Sequence, residues 1–219
     1  MRDVIIISGG RIQRDFALDF LKKIKKEDTT LIAADRGLEF FEETGLTPDI
    51  VVGDFDSLSE KGKKFLESLT DTEIIRLKPE KDDTDTQSAS NYAMDHGAKK
   101  IAIFGATGNR IDHLMANFGL LLHAKNRGTE MILVDQWNYM RLIESGTVLE
   151  KEKQFGKYVS FFSMEGDITG LTLTGFKYPL DKYHLRVSDS GLTVSNEIAS
   201  EKAMVEFDSG TLLMLMTRD

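Results

Sequence analysis

The chain contains no cysteine, which excludes disulfides, zinc–thiolate centres and thiol nucleophiles and is compatible with a reducing, cytoplasmic setting. No apolar run approaches the ~20 residues that cross a bilayer, so no membrane association is expected. The opening Met1-Arg2-Asp3-Val4-Ile5-Ile6-Ile7-Ser8 is too short in its apolar part to be a signal peptide and reads as a first buried strand. Basic residues are in deficit, 28 Lys and Arg against 36 Asp and Glu, for a formal charge of −8. A general nucleic-acid backbone binder needs a basic surface, so nucleic acid is not an expected partner. An anionic substrate would have to be met by a metal ion or a local cluster of Lys and Arg. Neither the Walker A pattern nor a complete Gly-x-Gly-x-x-Gly fingerprint is present, which weakens standard P-loop and dinucleotide readings. What remains is 219 residues, 41% apolar and 29% charged, enough for one large domain or two small ones.

Through the first two-thirds, apolar β-rich runs alternate with helical patterns. Strands are expected at 4–8, 30–34, 50–52, 73–77 and Lys100–Phe104, and helices at 13–26, Leu38–Thr44, 60–69, 84–96 and Ile111–Asn126. This alternation predicts an α/β domain over 1–130, a Rossmann-like parallel sheet with helices on both faces. From about residue 131 the pattern changes to short strands, at 131–134, 139–143, 158–164, 171–174, 184–187, 192–195, 203–207 and 211–216. Turn signals separate them at Glu165-Gly166-Asp167, Asp189-Ser190-Gly191 and Asp208-Ser209-Gly210. The expectation for 131–219 is a smaller all-β sandwich or barrel, with the boundary between 128 and 146.

Three polar clusters punctuate the first domain. Ile50-Val51-Val52-Gly53-Asp54-Phe55-Asp56-Ser57 is an apolar run ending in two carboxylates one residue apart. In extended backbone, Asp54 and Asp56 would share a face and repel unless a cation or a proton lies between them. A hard divalent cation with oxygen ligands is the natural occupant, and Mg²⁺ usually arrives with phosphates. Asp is also common in the turn after a strand, and phosphatases with an Asp nucleophile present the same pair. Lys81-Asp82-Asp83-Thr84-Asp85 precedes a helix, where Asp82, Asp83 or Thr84 suits the cap and Asp82 and Asp85 would adjoin in the first turn. Gly105-Ala106-Thr107-Gly108-Asn109-Arg110 opens the next helix, so its backbone N–H groups and Arg110 suit an anion, while Asp112 could cap and His113 lie exposed. Asp35, the Asp54–Asp56 pair and this loop each follow a strand, so in a parallel sheet they share one rim, where such folds bind ligands. In the β region, Tyr178 could stack on a flat, possibly cationic ligand.

Taken together, these residues resemble the thiamine pyrophosphokinase family. The resemblance runs in order through Ala34-Asp35-Arg36-Gly37, Thr47-Pro48-Asp49, Gly53-Asp54-Phe55-Asp56-Ser57, Lys81–Asp85, Gly108–Asn117, Gly175–Leu180 and Ser195-Asn196-Glu197. It implies a reaction in which ATP and thiamine give AMP and thiamine diphosphate with Mg²⁺, in a homodimer whose active sites lie at the subunit interface. It implies that Asp54, Asp56 and Asp85 are metal and catalytic carboxylates, with Asp82 in support. Asp35, Lys81, Thr84, Arg110, Asp112, His113 and Asn117 would lie on the ATP side, and Tyr178, Ser195 and Asn196 on the thiamine side. Arg36, Asn109 and Tyr178 depart from the family pattern, in which Gly is frequent at the first, Gly usual at the second and Trp frequent at the third. Transfer of pyrophosphoryl rather than phosphoryl comes from the resemblance alone. The rivals are a Mg-dependent phosphatase or phosphodiesterase and a non-catalytic nucleotide sensor.

Overall fold

The computed structural model describes residues 3–24, 28–78, 80, 82–108, 110–189 and 191–219. The expected helix end at 25–26 and the residues Lys81, Asn109 and Ser190 lie outside that set. The chain divides into two compact units, Met1–Gln136 and Trp137–Asp219.

The first unit is built on six parallel strands, β1 (Asp3–Ile7), β2 (Thr29–Ala34), β3 (Ile50–Gly53), β4 (Glu73–Arg76), β5 (Lys100–Phe104) and β6 (Glu130–Val134). Their order is β4-β3-β2-β1-β5-β6. Parallel neighbours need long crossovers, supplied by α1 (Arg14–Lys22), α2 (Leu38–Thr44), α3 (Glu60–Ser68), α4 (Asp85–Asp95) and α5 (Ile111–Asn126). The strands are near-continuous apolar runs because they are covered: Val4 to Ile7, Ile50 to Val52 and Ile101 to Phe104 are all buried. Helix starts are set locally. Ser59 Oγ accepts from Gly62 N at 3.2 Å, and Thr84 Oγ1 accepts from Gln87 N at 3.2 Å. α1 packs its aromatic side on β5, with the Phe20 and Phe104 ring centroids 5.1 Å apart.

The chain runs outward from β1 to β4 and then returns to β5, so the order reverses between β1 and β5. Pairing continues past the strand ends there, Ser8 N to Phe104 O at 2.8 Å and Gly10 N to Gly105 O at 3.2 Å. The carboxyl-end loops of β1, β2, β3 and β5 therefore border the crevice where such sheets receive ligands. One sequence expectation is corrected here. Residues 131–134 belong to this parallel sheet, β5 and β6 pairing Lys100↔Glu130 through Ile103↔Leu133. α5 provides the crossover that a parallel neighbour requires, and the change of unit falls after Gln136.

The second unit is antiparallel. Its strands are β7 (Asn138–Ile143), β8 (Thr147–Glu150), β9 (Tyr158–Thr174), β10 (Leu180–Leu185), β11 (Lys202–Glu206) and β12 (Ser209–Thr217). The order is β7-β12-β9-β11-β8, with β10 on β9. Val159, Phe161, Ile168, Leu171, Leu173 and Val205 form the centre of its core. Four expectations change. Glu165-Gly166-Asp167 is not a turn: β9 runs 17 residues through it, and register shifts against β12 around Thr211 absorb the irregularity. Residues 192–195 are not a strand: Thr193 alone is buried, its Oγ1 donating to Phe161 O and its own O accepting from Phe161 N at 3.1 Å, while Leu192 and Val194 face outward and the isolated bridge to β9 falls one residue later, Val159↔Asn196. β10 ends at Leu185 because Asp189 Oδ2 accepts from Arg186 N at 2.9 Å and from Tyr183 OH at 3.1 Å, turning the chain. β8, a four-residue strand paired with β11, carries too short a pattern to be read beforehand. Among the described residues, no helix is long and apolar enough to cross a membrane.

Candidate active site

Asp35, Asp54 and Asp56 gather beyond the ends of β2 and β3. Each offers a carboxylate oxygen, and these oxygens lie within 4.8 Å of one another. Sheet register explains the meeting: Ala34 pairs with Val52, so Asp35 leaves the sheet beside Gly53. A Cβ at Gly53 would lie 3.0 Å from Asp35 Cα and 3.1 Å from the Phe55 ring, so glycine permits this approach without pushing either neighbour back by a few tenths of an ångström. The Asp54–Asp56 convergence does not come from strand alternation, as the sequence suggested. The strand stops at Gly53, and Phe55 adopts φ 67°, folding Asp56 N back onto Asp54 Oδ1 at 3.2 Å. Phe55 holds that left-handed geometry because its ring is buried, with the Arg76 guanidinium 5.1 Å from its centroid. Asp35, at φ 46°, is a second left-handed residue in the same cluster.

The electrostatics fit a cation. Asp56's carboxyl is pushed above its ordinary 3.8, first by the charge of Asp54, then by their hydrogen bond, by burial, and by the charges of Asp35 and Asp85. Asp35 Oδ2 accepts from Ser57 Oγ at 2.5 Å, whereas Asp35 Oδ1 is buried with no hydrogen-bond partner. A buried carboxylate oxygen without a donor is costly unless a cation meets it. The resemblance assigns Asp35 to the ATP side; the β2–β3 register also brings it beside Asp54, Asp56 and Ser57, which no local pattern announces. Asp85 stands outside the trio, as the first residue of α4, but its charge acts on Asp56. Asp82 is exposed and precedes the Thr84 cap, so it is not in the first helical turn with Asp85.

The two acidic segments are braced to each other by Glu39 on α2. Glu39 Oε1 accepts from Ser59 N at 2.9 Å and Oε2 from Arg36 Nε at 3.1 Å. Burial pushes this carboxyl up, but the bonds from Ser59 and Arg36 outweigh it and hold the group below 4.5. The stability this adds is present above the ordinary pKa and lost as pH falls through the lowered folded value. Glu39→Gln is therefore expected to cost about 1–2 kcal/mol near neutral pH, with the difference from wild type shrinking in urea melts as pH falls below the ordinary carboxylate value. A penalty independent of pH would contradict the charged role.

The anion-side residues lie at the start of α5. No side chain caps this helix at Arg110. Arg110 instead bonds Asp112, Nε to Oδ1 at 3.1 Å and Nη2 to Oδ2 at 2.5 Å, which lowers the Asp112 pKa and raises that of Arg110. Asp112 Oδ1 also accepts from His113 N at 2.9 Å, and both side chains are exposed. Asn117 is buried, and its Nδ2 donates to Ala106 O at 2.8 Å, so it holds the Gly105–Gly108 loop from beneath. Thr107, not singled out before, donates to Asp135 Oδ2 at 2.5 Å and ties that loop to the end of β6.

In the β unit, Asn196 is buried and clamps the neighbouring turn. Its Oδ1 accepts from Tyr178 N at 3.0 Å and Glu197 N at 2.9 Å, and its Nδ2 donates to Tyr178 O at 2.7 Å. Ser195 sits at φ 57° with its N–H on Ser160 Oγ at 3.0 Å. The Tyr178 ring is 55% exposed, with Lys177 Nζ 5.5 Å from its centroid. Lys177 is itself paired to Glu197 at 2.9 Å.

The family profile "Thiamin pyrophosphokinase, catalytic domain" matches residues 21–133, and "Thiamin pyrophosphokinase, vitamin B1 binding domain" matches residues 146–212. The thiamine pyrophosphokinase of Bacillus subtilis is 32% identical over 219 residues, the whole of both chains. Its crystal structure matches with a TM-score of 0.88 at 30% identity, covering all of both chains. The thiamin pyrophosphokinase of Candida albicans shares the fold at 17% identity, with a TM-score of 0.81 over 99% of this chain and 89% of that one. With both profiles matched in order and a full-length relative at this identity, the chain belongs to the thiamine pyrophosphokinase family.

Proposed function

We propose that this enzyme transfers the pyrophosphoryl group of ATP to the hydroxyl of thiamine, giving thiamine diphosphate and AMP. The unit 1–136 would carry nucleotide and metal on a Rossmann-like sheet, and the β unit, a small sandwich, would hold thiamine. The observation that carries the reading is the Asp35, Asp54 and Asp56 trio with its one buried, partnerless oxygen.

Asp54, Asp56 and Asp35 would hold a divalent ion, Mg²⁺ by the hardness of the donors, with Asp85 and Asp82 adding charge at the rim. Such an ion supplies neutralisation of charge on the phosphate oxygens. The hydroxyl oxygen of thiamine forms a bond to the β-phosphorus as the bond from that phosphorus to the bridging oxygen of AMP breaks. The hydroxyl proton passes to Asp56 or Asp85. Arg110 leaves Asp112 for the phosphates, which the uncapped start of α5 also receives, with Thr84 and His113 assigned to the nucleotide by the family resemblance. Asn117 and Asp112 act by holding the loop and Arg110. Tyr178 offers its exposed ring to the cationic thiazolium, on a turn set by Asn196 and Ser195. A second copy would cover Ile111 and Met115, 73% and 61% exposed on α5, consistent with a homodimer sharing its active sites.

Incubation with ATP, Mg²⁺ and thiamine should yield AMP and thiamine diphosphate in equal amounts. ADP with thiamine monophosphate, or phosphate released without thiamine, would overturn the reading. A phosphatase with an Asp nucleophile normally brings its Asp-x-Asp from the first strand, whereas here it follows β3.

A further inference from the structure

We infer that Asp83 and Asn91 are positioning residues that lock the acidic loop before α4 to His123 on α5, and that they set the divalent-metal affinity of the site without ligating the ion. The inference rests on the metal-dependent reading above.

Asp83 lies among the acids of that loop, yet both its oxygens are engaged by amides. Gln87 Nε2 donates to Oδ1 at 2.7 Å, and Asn91 Nδ2 donates to Oδ2 at 3.2 Å. A carboxylate folded back onto its own helix in this way has spent its best acceptor directions. Asn91 in turn presents Oδ1 to His123 Nε2 at 2.8 Å. With Nδ2 committed to a carboxylate, Oδ1 must be the atom facing the ring, so Nε2 is the donor and the Asn91 amide has one orientation. The next residue, Thr84, caps α4 on Gln87 N, whose side chain already bonds Asp83. Asp85 follows as the first helical residue, and its charge reaches Asp56.

Both anchors are firm. α4 buries Ala89, Ser90 and Ala93, and α5 buries Leu120, Leu121 and Ala124 on either side of His123. α5 also starts immediately after Arg110, so one helix holds the proposed phosphate side at its start and the acidic loop near its end. Outer partners that orient the carboxylates around a cation commonly set its affinity.

The test uses Mn²⁺ binding to the full chain, followed by the electron paramagnetic resonance of the free ion, beside the Mg²⁺ dependence of AMP formation. Asn91→Ala and Asp83→Ala should each raise the Mn²⁺ dissociation constant and the half-saturating Mg²⁺ concentration about tenfold, with turnover at saturating metal within about twofold of wild type. The double variant should match either single one, because the residues act as one unit. His123→Gln, whose amide can still donate to Asn91, should restore most of the affinity lost in His123→Ala. Additive losses, or turnover lost at saturating metal with Mn²⁺ affinity unchanged, would overturn the inference. So would a lowered melting temperature with normal Mn²⁺ binding. A wild-type protein that binds no Mn²⁺ overturns the inference and the metal site together. Mn²⁺ binding without AMP formation counts against the proposed reaction alone.

Discussion

Asp54→Asn is expected to reduce AMP formation about 10²–10⁴-fold while leaving the fold intact, by analogy with the loss of single acid–base or charge-stabilising groups. Asparagine keeps the Oδ1 acceptor that Asp56 N uses at 3.2 Å, so the turn through Phe55 survives. What is lost is one negative charge of the trio. In the metal-free protein that charge is repulsive: Asp54 is the largest cause of the raised Asp56 pKa. Removing it should therefore leave the melting temperature in chelator unchanged or higher. In wild type, added Mg²⁺ should raise the melting temperature, because an ion that binds only the folded state stabilises it. The variant should lose most of that rise. AMP release by chromatography, with melts in Mg²⁺ and in chelator, measures all three effects. A variant that melts far below wild type in chelator would show that the acid pair serves the fold instead.

Gly37→Ala should fail in the opposite sense, through the fold first. A Cβ there would stand 1.8 Å from Ile7 O and 2.6 Å from Ile7 C, backbone atoms at the end of β1 that no rotamer change can move aside. The turn Asp35–Gly37 must lift off β1, an overpacking cost of about 3 kcal/mol or more. For a chain of this size that corresponds to a melting-temperature loss on the order of 10 °C. Asp35 moves with the turn, so Mg²⁺-dependent stabilisation and AMP formation should fall as well. Soluble yield, melting temperature and activity should decline together, unlike the separated effects expected at Asp54. A normal melting temperature for Gly37→Ala would mean that the turn does not rest on β1 as described.

Element type was legible wherever a local signal and a strong period coincided. Leu38–Thr44, Lys100–Phe104 and Ile111–Asn126 form over the ranges their patterns indicate, bounded by Gly45, Gly105 and the loop before Arg110. The misreadings arise where partners, not periods, decide. Glu165-Gly166-Asp167 has turn composition, and Gly166 does take a left-handed φ of 67°, but β12 pairs on both sides of it, at Glu165 and Thr169, so β9 continues through. Residues 131–134 look like the strands that follow them, and only pairing with β5 assigns them to the parallel sheet. Asp54 and Asp56 were visible as a pair, but for the wrong local reason, since the chain bends at Phe55 instead of continuing as strand.

The amino-acid order by itself determined which chemistry was possible. An acidic chain without cysteine, with carboxylates after one strand, acids before one helix and a glycine-rich loop before another, can do little with phosphate except through a hard cation and scattered basic groups. Those are properties of residue type and short spacing, which survive in any conformation. Which carboxylates meet was decided only in three dimensions. Asp35 joins Asp54 and Asp56 because β2 and β3 pair at Ala34↔Val52, a register set by burying both strands. Asp83 turns onto α4 because Gln87 and Asn91, four and eight residues on, come round to meet it and His123 of α5 fixes Asn91. Contacts between segments distant in the chain depend on how packed layers align, and no local pattern encodes that alignment.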